Sequence, residues 1–150
     1  MAQKNDTLLT LIDLAKTSAD DAAKALQQAT AERNKAQQQL DTLHEYRLDY
    51  ARRLQEATQS GLSAGSYQNY RQFIATLDGA IIEQGKLIEH FDLKIQETRQ
   101  HWYAEKRRLN SYEALQSRQQ HKLAAQEARK DQIASDEISA SLYRRLRHHH

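Results

Sequence analysis

The chain has 150 residues, with no proline, no cysteine, four glycines and two phenylalanines. Without proline, nothing in it forbids a helix from propagating. Without cysteine there is no disulfide framework and no thiolate metal site, which suits a reducing compartment. No apolar run approaches the roughly 18 residues of a membrane span, so no direct membrane insertion is expected. The opening segment MAQKNDTLLT lacks the apolar core of a signal peptide, and a cytoplasmic location is expected. Charge of one sign is lacking too. The 22 basic and 20 acidic residues leave a net charge of +2, too little to argue for nucleic acid.

What is present is periodicity. Hydrophobic residues make up 39% of the chain and charged residues 28%. The mean hydropathy of −0.92 is polar enough to make disorder the competing reading. Spacings of four and three argue against disorder. They run through Leu8, Ile12, Ala15, Ala19, Ala22, Leu26, Ala29, Arg33, Ala36, Leu40, Leu43, Arg47, Tyr50, Leu54 and Ala57. After a break at Gln59–Ser66 they resume on Tyr67, Tyr70, Ile74, Leu77, Ile81, Gln84, Ile88, Phe91, Ile95, Thr98, Trp102, Glu105, Leu109 and Tyr112. Alternating fours and threes average 3.5 residues, the repeat of a left-handed coiled coil. The expected fold is all-α, a long antiparallel two-helix coiled coil whose second helix is the longer. It forms a single domain over residues 1–147 and is expected to be monomeric.

Asn5, Asp6 and Thr7 are candidate caps for helix one, expected over about 7–58. A turn over 59–66 follows, then helix two, capped by Ser66 and reaching about 143. Folding back near residues 61–62 places residue i opposite roughly 123 minus i, which sets Tyr50 against Phe73 and Leu43 against Ala80. The seam from Ala15 to Ala36 is mostly alanine, which buries little area and needs support. Beyond about Gln116 helix two runs past the start of helix one, as a single helix or a frayed tail. Arg33, Arg47, Gln84, Thr98 and Glu105 are polar residues on seam positions, read as register controls or partner contacts. Gly79 and Gly85 lie inside helix two and signal either flexibility or close approach of another backbone. His148, His149 and His150 read as the visible part of a purification tag.

The chain offers little to chemistry. Gly61 and Gly65 lack the GK[ST] of a phosphate-binding loop, and His44, His90, His101 and His121 are scattered without an HExxH. Carboxylates on a solvated helical hairpin have no cavity to shift their pKa or exclude water. No enzymatic activity, cofactor or metal is expected. Two surface stripes stand out instead. Gln39, Leu43, Tyr46 and Tyr50 are spaced four, three and four, and so are Phe73, Leu77, Ala80 and Gln84. The fold-back register sets both along one face of the hairpin near its turn. They either widen the core or form a protein-docking patch, for which Tyr and Phe are favoured anchors.

The block Tyr67-Gln68-Asn69-Tyr70-Arg71-Gln72-Phe73-Ile74-Ala75-Thr76-Leu77-Asp78-Gly79-Ala80-Ile81, preceded by Leu43, Tyr46 and Tyr50, resembles the FliJ family of flagellar proteins. So do Trp102 with Lys106-Arg107-Arg108-Leu109, the run Leu115–Gln119, and the run Glu127–Gln132. The likeness covers nearly the whole chain. It implies a non-enzymatic antiparallel coiled coil that acts as a central stalk in flagellar type III protein export. It implies insertion into the hexameric ring of the export ATPase FliI, binding to the membrane export-gate protein FlhA, and escort of export chaperones. The expected location is therefore the cytoplasm, peripherally associated with the membrane export apparatus. By this resemblance the gate-binding residues are Gln39, Leu43, Tyr46, Tyr50, Phe73, Leu77, Ala80 and Gln84, with Gln84 standing where the family carries histidine. The virulence secretion stalks share the fold, and a stand-alone export chaperone or adaptor is the other alternative. The tyrosine block favours the flagellar branch.

Overall fold

A computed structural model describes residues 2–148 of the chain. They form an antiparallel two-helix coiled coil in which α1 spans Ala2–Ser60 and α2 spans Ala64–His148. The second helix is the longer, as the sequence predicts. His149 and His150 of the expected tag lie outside the described residues, while His148 is the last residue of α2.

The helix boundaries differ from the sequence reading. Helix α1 starts before Asn5, Asp6 and Thr7, and the Asp6 carbonyl accepts a bond from Thr10 Oγ1 at 2.9 Å. With no proline or glycine before Gly61, cap-capable side chains do not stop the helix. The turn is Gly61–Ser63, shorter than the expected 59–66. Gly61 takes φ +90° and donates its N–H to the Thr58 carbonyl at 3.4 Å, the glycine-ended helix terminus that β-carbons disfavour. The cap of α2 is Ser63, not Ser66: Ser63 Oγ accepts the Ser66 N–H at 3.2 Å, the bond from N-cap to third helical residue. At the other end α2 passes residue 143 without a breaker, and Arg145, Arg147 and His148 lie in its last turn, where cations suit the helix dipole.

The chain divides into two compact units. The first comprises Met1–Thr17 and Lys106–His150. In it Leu8, Ile12, Ala15 and Leu109 are buried, and Leu8 and Leu9 share an open cavity of about 210 Å3 with Gln116, Gln119, Gln120 and Leu123. Past Gln119 every described side chain of α2 is exposed, although the backbone stays helical. The segment expected to be either helical or frayed is helix.

The second unit, Ser18–Glu105, holds the turn. Its seam follows the predicted beats, and every one of them on α1 is buried or half-buried. On α2 only Tyr67, beside the turn, is exposed. Ala19, Ala22, Ala29 and Ala36 are 1–4% exposed, whereas Leu40, Leu43, Tyr50 and Leu54 are half-buried. A methyl group is easily covered but contributes little, about 0.8 kcal/mol per buried carbon. The leucine and tyrosine seam near the turn removes more apolar area from water even where it is less completely covered.

Arg33, Arg47 and Gln84, three of the polar residues on seam positions, bind across the pair. Arg33 Nε reaches Asp92 Oδ1 at 3.0 Å, Arg47 pairs with Asp78, and Gln84 Nε2 donates to the Ala36 carbonyl at 2.9 Å. These partners lie within about three residues of the expected register. Thr98 instead turns back on its own helix, donating to the Lys94 carbonyl at 2.9 Å.

Candidate partner-binding surface

All eight residues of the two stripes belong to the Ser18–Glu105 unit. The heptad places them. On α1, Gln39 and Tyr46 precede the seam residues Leu40 and Arg47 by one position, so they emerge at its edge, and Phe73 and Ala80 do the same beside Ile74 and Ile81. Tyr50 and Phe73 meet across the pair with ring centroids 4.2 Å apart and planes tilted by 37°. Tyr50 is half-buried, while Phe73 is 41% exposed and Tyr46 is 55% exposed. Large aromatic surfaces left to water on a fixed helical base are what an interface anchor requires.

At the far end of the stripes, Gln84 Nε2 also donates to Gln39 Oε1 at 3.0 Å. Gln84 is therefore fixed twice, by a backbone carbonyl and by a side-chain one, and it orients Gln39 in turn. With Lys35, Gln38, Thr42 and Leu43 these two glutamines line an open depression of about 520 Å3. Leu77 differs from the other seven: at 7% exposure it is buried in the seam. Ala80 and Leu43 are half-buried.

Sequence reasoning missed the surroundings of the aromatic pair. Tyr50 and Phe73 share a shallow cavity of about 370 Å3 with Arg53, Ser66, Asn69 and Tyr70. The Arg53 guanidinium lies over the Tyr50 ring, with Cζ 5.4 Å from its centroid, and bonds Asp49 at 3.1 Å. The signal was present in the spacing: Arg53 follows Tyr50 by three, and Tyr70 precedes Phe73 by three.

Among the described residues no group of three His, Cys, Asp or Glu side chains is placed to hold a metal ion. No described helix is long and apolar enough to cross a membrane.

The profile of the family described as flagellar FliJ protein matches residues 3–148. The chain belongs to the flagellar FliJ family. It is 31% identical to the flagellar FliJ protein of Escherichia coli K12 over 136 residues, covering 91% of this chain and 92% of that relative. It is 33% identical to the Salmonella typhi protein of the same name over 139 residues, covering 93% and 94%. Among solved structures it is similar to a YscO homologue of Chlamydia trachomatis, with a TM-score of 0.67 at 12% identity over 93% of this chain and 90% of that one. At that identity the likeness speaks for the fold alone. Membership of the FliJ family makes the chain a component of the flagellar type III export system.

Proposed function

We propose that this FliJ-family chain is the non-enzymatic coupling stalk of the flagellar export apparatus, a single functional domain working as a cytoplasmic monomer at the membrane-bound machinery. It inserts into the hexameric ring of the export ATPase FliI, docks on the export-gate protein FlhA, and escorts export chaperones. The gate contacts are Gln39, Leu43, Tyr46, Tyr50, Phe73, Ala80 and Gln84, with Leu77 supporting them from the seam. What carries this reading is the Tyr50–Phe73 contact: two anchor-type aromatics, 4.2 Å apart, on an open face of a chain that the family matches almost throughout.

The ring receives residues of the first unit, where the exposed stretch of α2 beyond Gln119 offers a long helical surface. The test is co-assembly. The purified chain is mixed with hexameric FliI, and separately with the soluble cytoplasmic part of FlhA, and each mixture is resolved by analytical ultracentrifugation. The reading expects both complexes. A chain that binds chaperones but neither the ring nor the gate is an adaptor, and the stalk reading is then wrong.

A further inference from the structure

The two stripes do not end at Tyr50 and Phe73. Their alternating spacing continues to Arg53 on α1, and back through Tyr70 to Ser66 on α2. These residues, with Asn69, line the cavity around the aromatic pair. The character of the surface changes at that point. Gln39, Leu43, Tyr46, Ala80 and Gln84 carry no charge, whereas the turn-proximal end carries Arg52 and Arg53, flanked on α1 by Asp49 and Glu56, and on α2 Arg71, with no carboxylate from residue 57 to residue 77. Two of these arginines lie over tyrosine rings, Arg53 over Tyr50 at 5.4 Å and Arg71 over Tyr67 at 5.9 Å. Arginine beside tyrosine is the composition of an interface anchor, and a cation with a neighbouring apolar hollow fits a carboxylate next to an apolar side chain.

We infer that this cavity receives an acidic segment of the gate protein: an apolar side chain enters between Tyr50, Tyr70 and Phe73 while an adjacent carboxylate pairs with Arg53. The inference rests on the gate-docking reading above and adds the chemistry of the partner segment and the residue that reads it. Arg53 is suited to the exchange. Its present partner Asp49 is four residues earlier on the same helix, and the two side chains are 58% and 48% exposed. Such exposed pairs contribute little to stability, so a partner carboxylate replaces Asp49 at small cost. Asp49 holds the guanidinium over the ring until then.

The test is calorimetric titration of the chain with the soluble cytoplasmic part of FlhA, at about 50 and about 300 mM salt. Unaltered protein is expected to lose affinity several-fold at the higher salt. Arg53→Glu weakens binding at least about tenfold at low salt and nearly abolishes the salt dependence. Arg53→Gln, which adds no like charge beside Asp49, weakens it several-fold. Asp49→Asn, which frees the guanidinium, strengthens it about two- to threefold. Tyr46→Ala, outside the cavity, weakens binding with the salt dependence intact. If both Arg53 variants bind within twofold of the unaltered chain while Phe73→Ala loses affinity, docking stands and the acidic-segment inference is overturned. If the unaltered chain does not bind the gate at all, the docking reading fails and this inference fails with it.

Discussion

Arg47 Nε donates to Asp78 Oδ1 across the helix pair, and two heptads away Arg33 makes the same contact with Asp92. The repetition defines register: sliding one helix past the other by a single residue breaks both pairs at once. The hydrogen bond to Asp78, and then its negative charge, raise the Arg47 pKa above the ordinary guanidinium value. A raised pKa stabilises the fold at every pH below the unfolded value and is lost only as pH rises through the folded one. For arginine that window lies far above neutrality, so the Arg47 charge makes stability no more pH-dependent across the physiological range.

Reversing one charge, by Arg47→Asp or Asp78→Arg, is therefore expected to lower the thermal midpoint followed by helical circular dichroism. The double swap should recover at least half of the loss. Independent, unrecovered losses would show that the pair does not set register. Arg33→Ala should cost roughly 0.2–1 kcal/mol, the range of an exposed pair.

Leu77 and Tyr46 separate packing from docking. Leu77→Ala removes a buried seam side chain and should destabilise by at least about 2 kcal/mol in urea unfolding. Tyr46→Ala should change stability by less than about 0.5 kcal/mol yet weaken gate binding. A large loss of stability at Tyr46 would place it in the core.

For Phe73→Ala and Tyr50→Ala we expect gate binding to weaken by more than about 1 kcal/mol, with FliI binding largely intact. Equal loss of both complexes, or collapse of helicity, would assign these rings to folding.

Gly79 and Gly85 have room for a β-carbon, with nothing within 4 Å of the position it would take. Close approach within the chain therefore does not explain them. Gly79→Ala and Gly85→Ala should each stabilise the helix by up to about 1 kcal/mol. If stability rises while gate binding falls, the close approach belongs to a partner backbone; unchanged or lower stability would contradict the open geometry.

Removing residues from about Gln119 onward should abolish stimulation of the FliI ATPase while gate binding survives. When the ring is added to the whole chain, amide exchange should slow at residues 8–36 and beyond 102. A truncated chain that stimulates fully would show that this end does not enter the ring.

The pairing was legible because the seam beats are regular: a register near 123 minus i is enough to bring Tyr50 to Phe73 and Arg47 to Asp78. The helix ends were less legible. Cap-capable residues such as Asp6 and Ser66 are also tolerated inside helices, and only the positive φ of Gly61 and the Ser63 cap decide where the chain turns. Arg53 was hidden because a charge on a solvated face ordinarily signals nothing. Its significance depends on the Tyr50 ring beneath it: the spacing of three allows that contact, but does not say which way a long side chain turns. Gln84 and Gln39 sit on the predicted stripe, but their mutual bond depends on the facing helix.

The three-residue turn has a kinetic consequence for the Ser18–Glu105 unit. Joining segments close in sequence costs the least loop entropy, so the earliest contacts form where Tyr50 and Leu54 meet residues just past Ser63. That is also where the seam has its larger side chains. Cheap closure and strong contact coincide, and the alanine stretch, with little of its own to nucleate on, closes last by zippering. Within this unit Ala19–Ala36 waits longest for its partner as the chain emerges from the ribosome, and its pairing arrives already in register because Arg47–Asp78 forms before it.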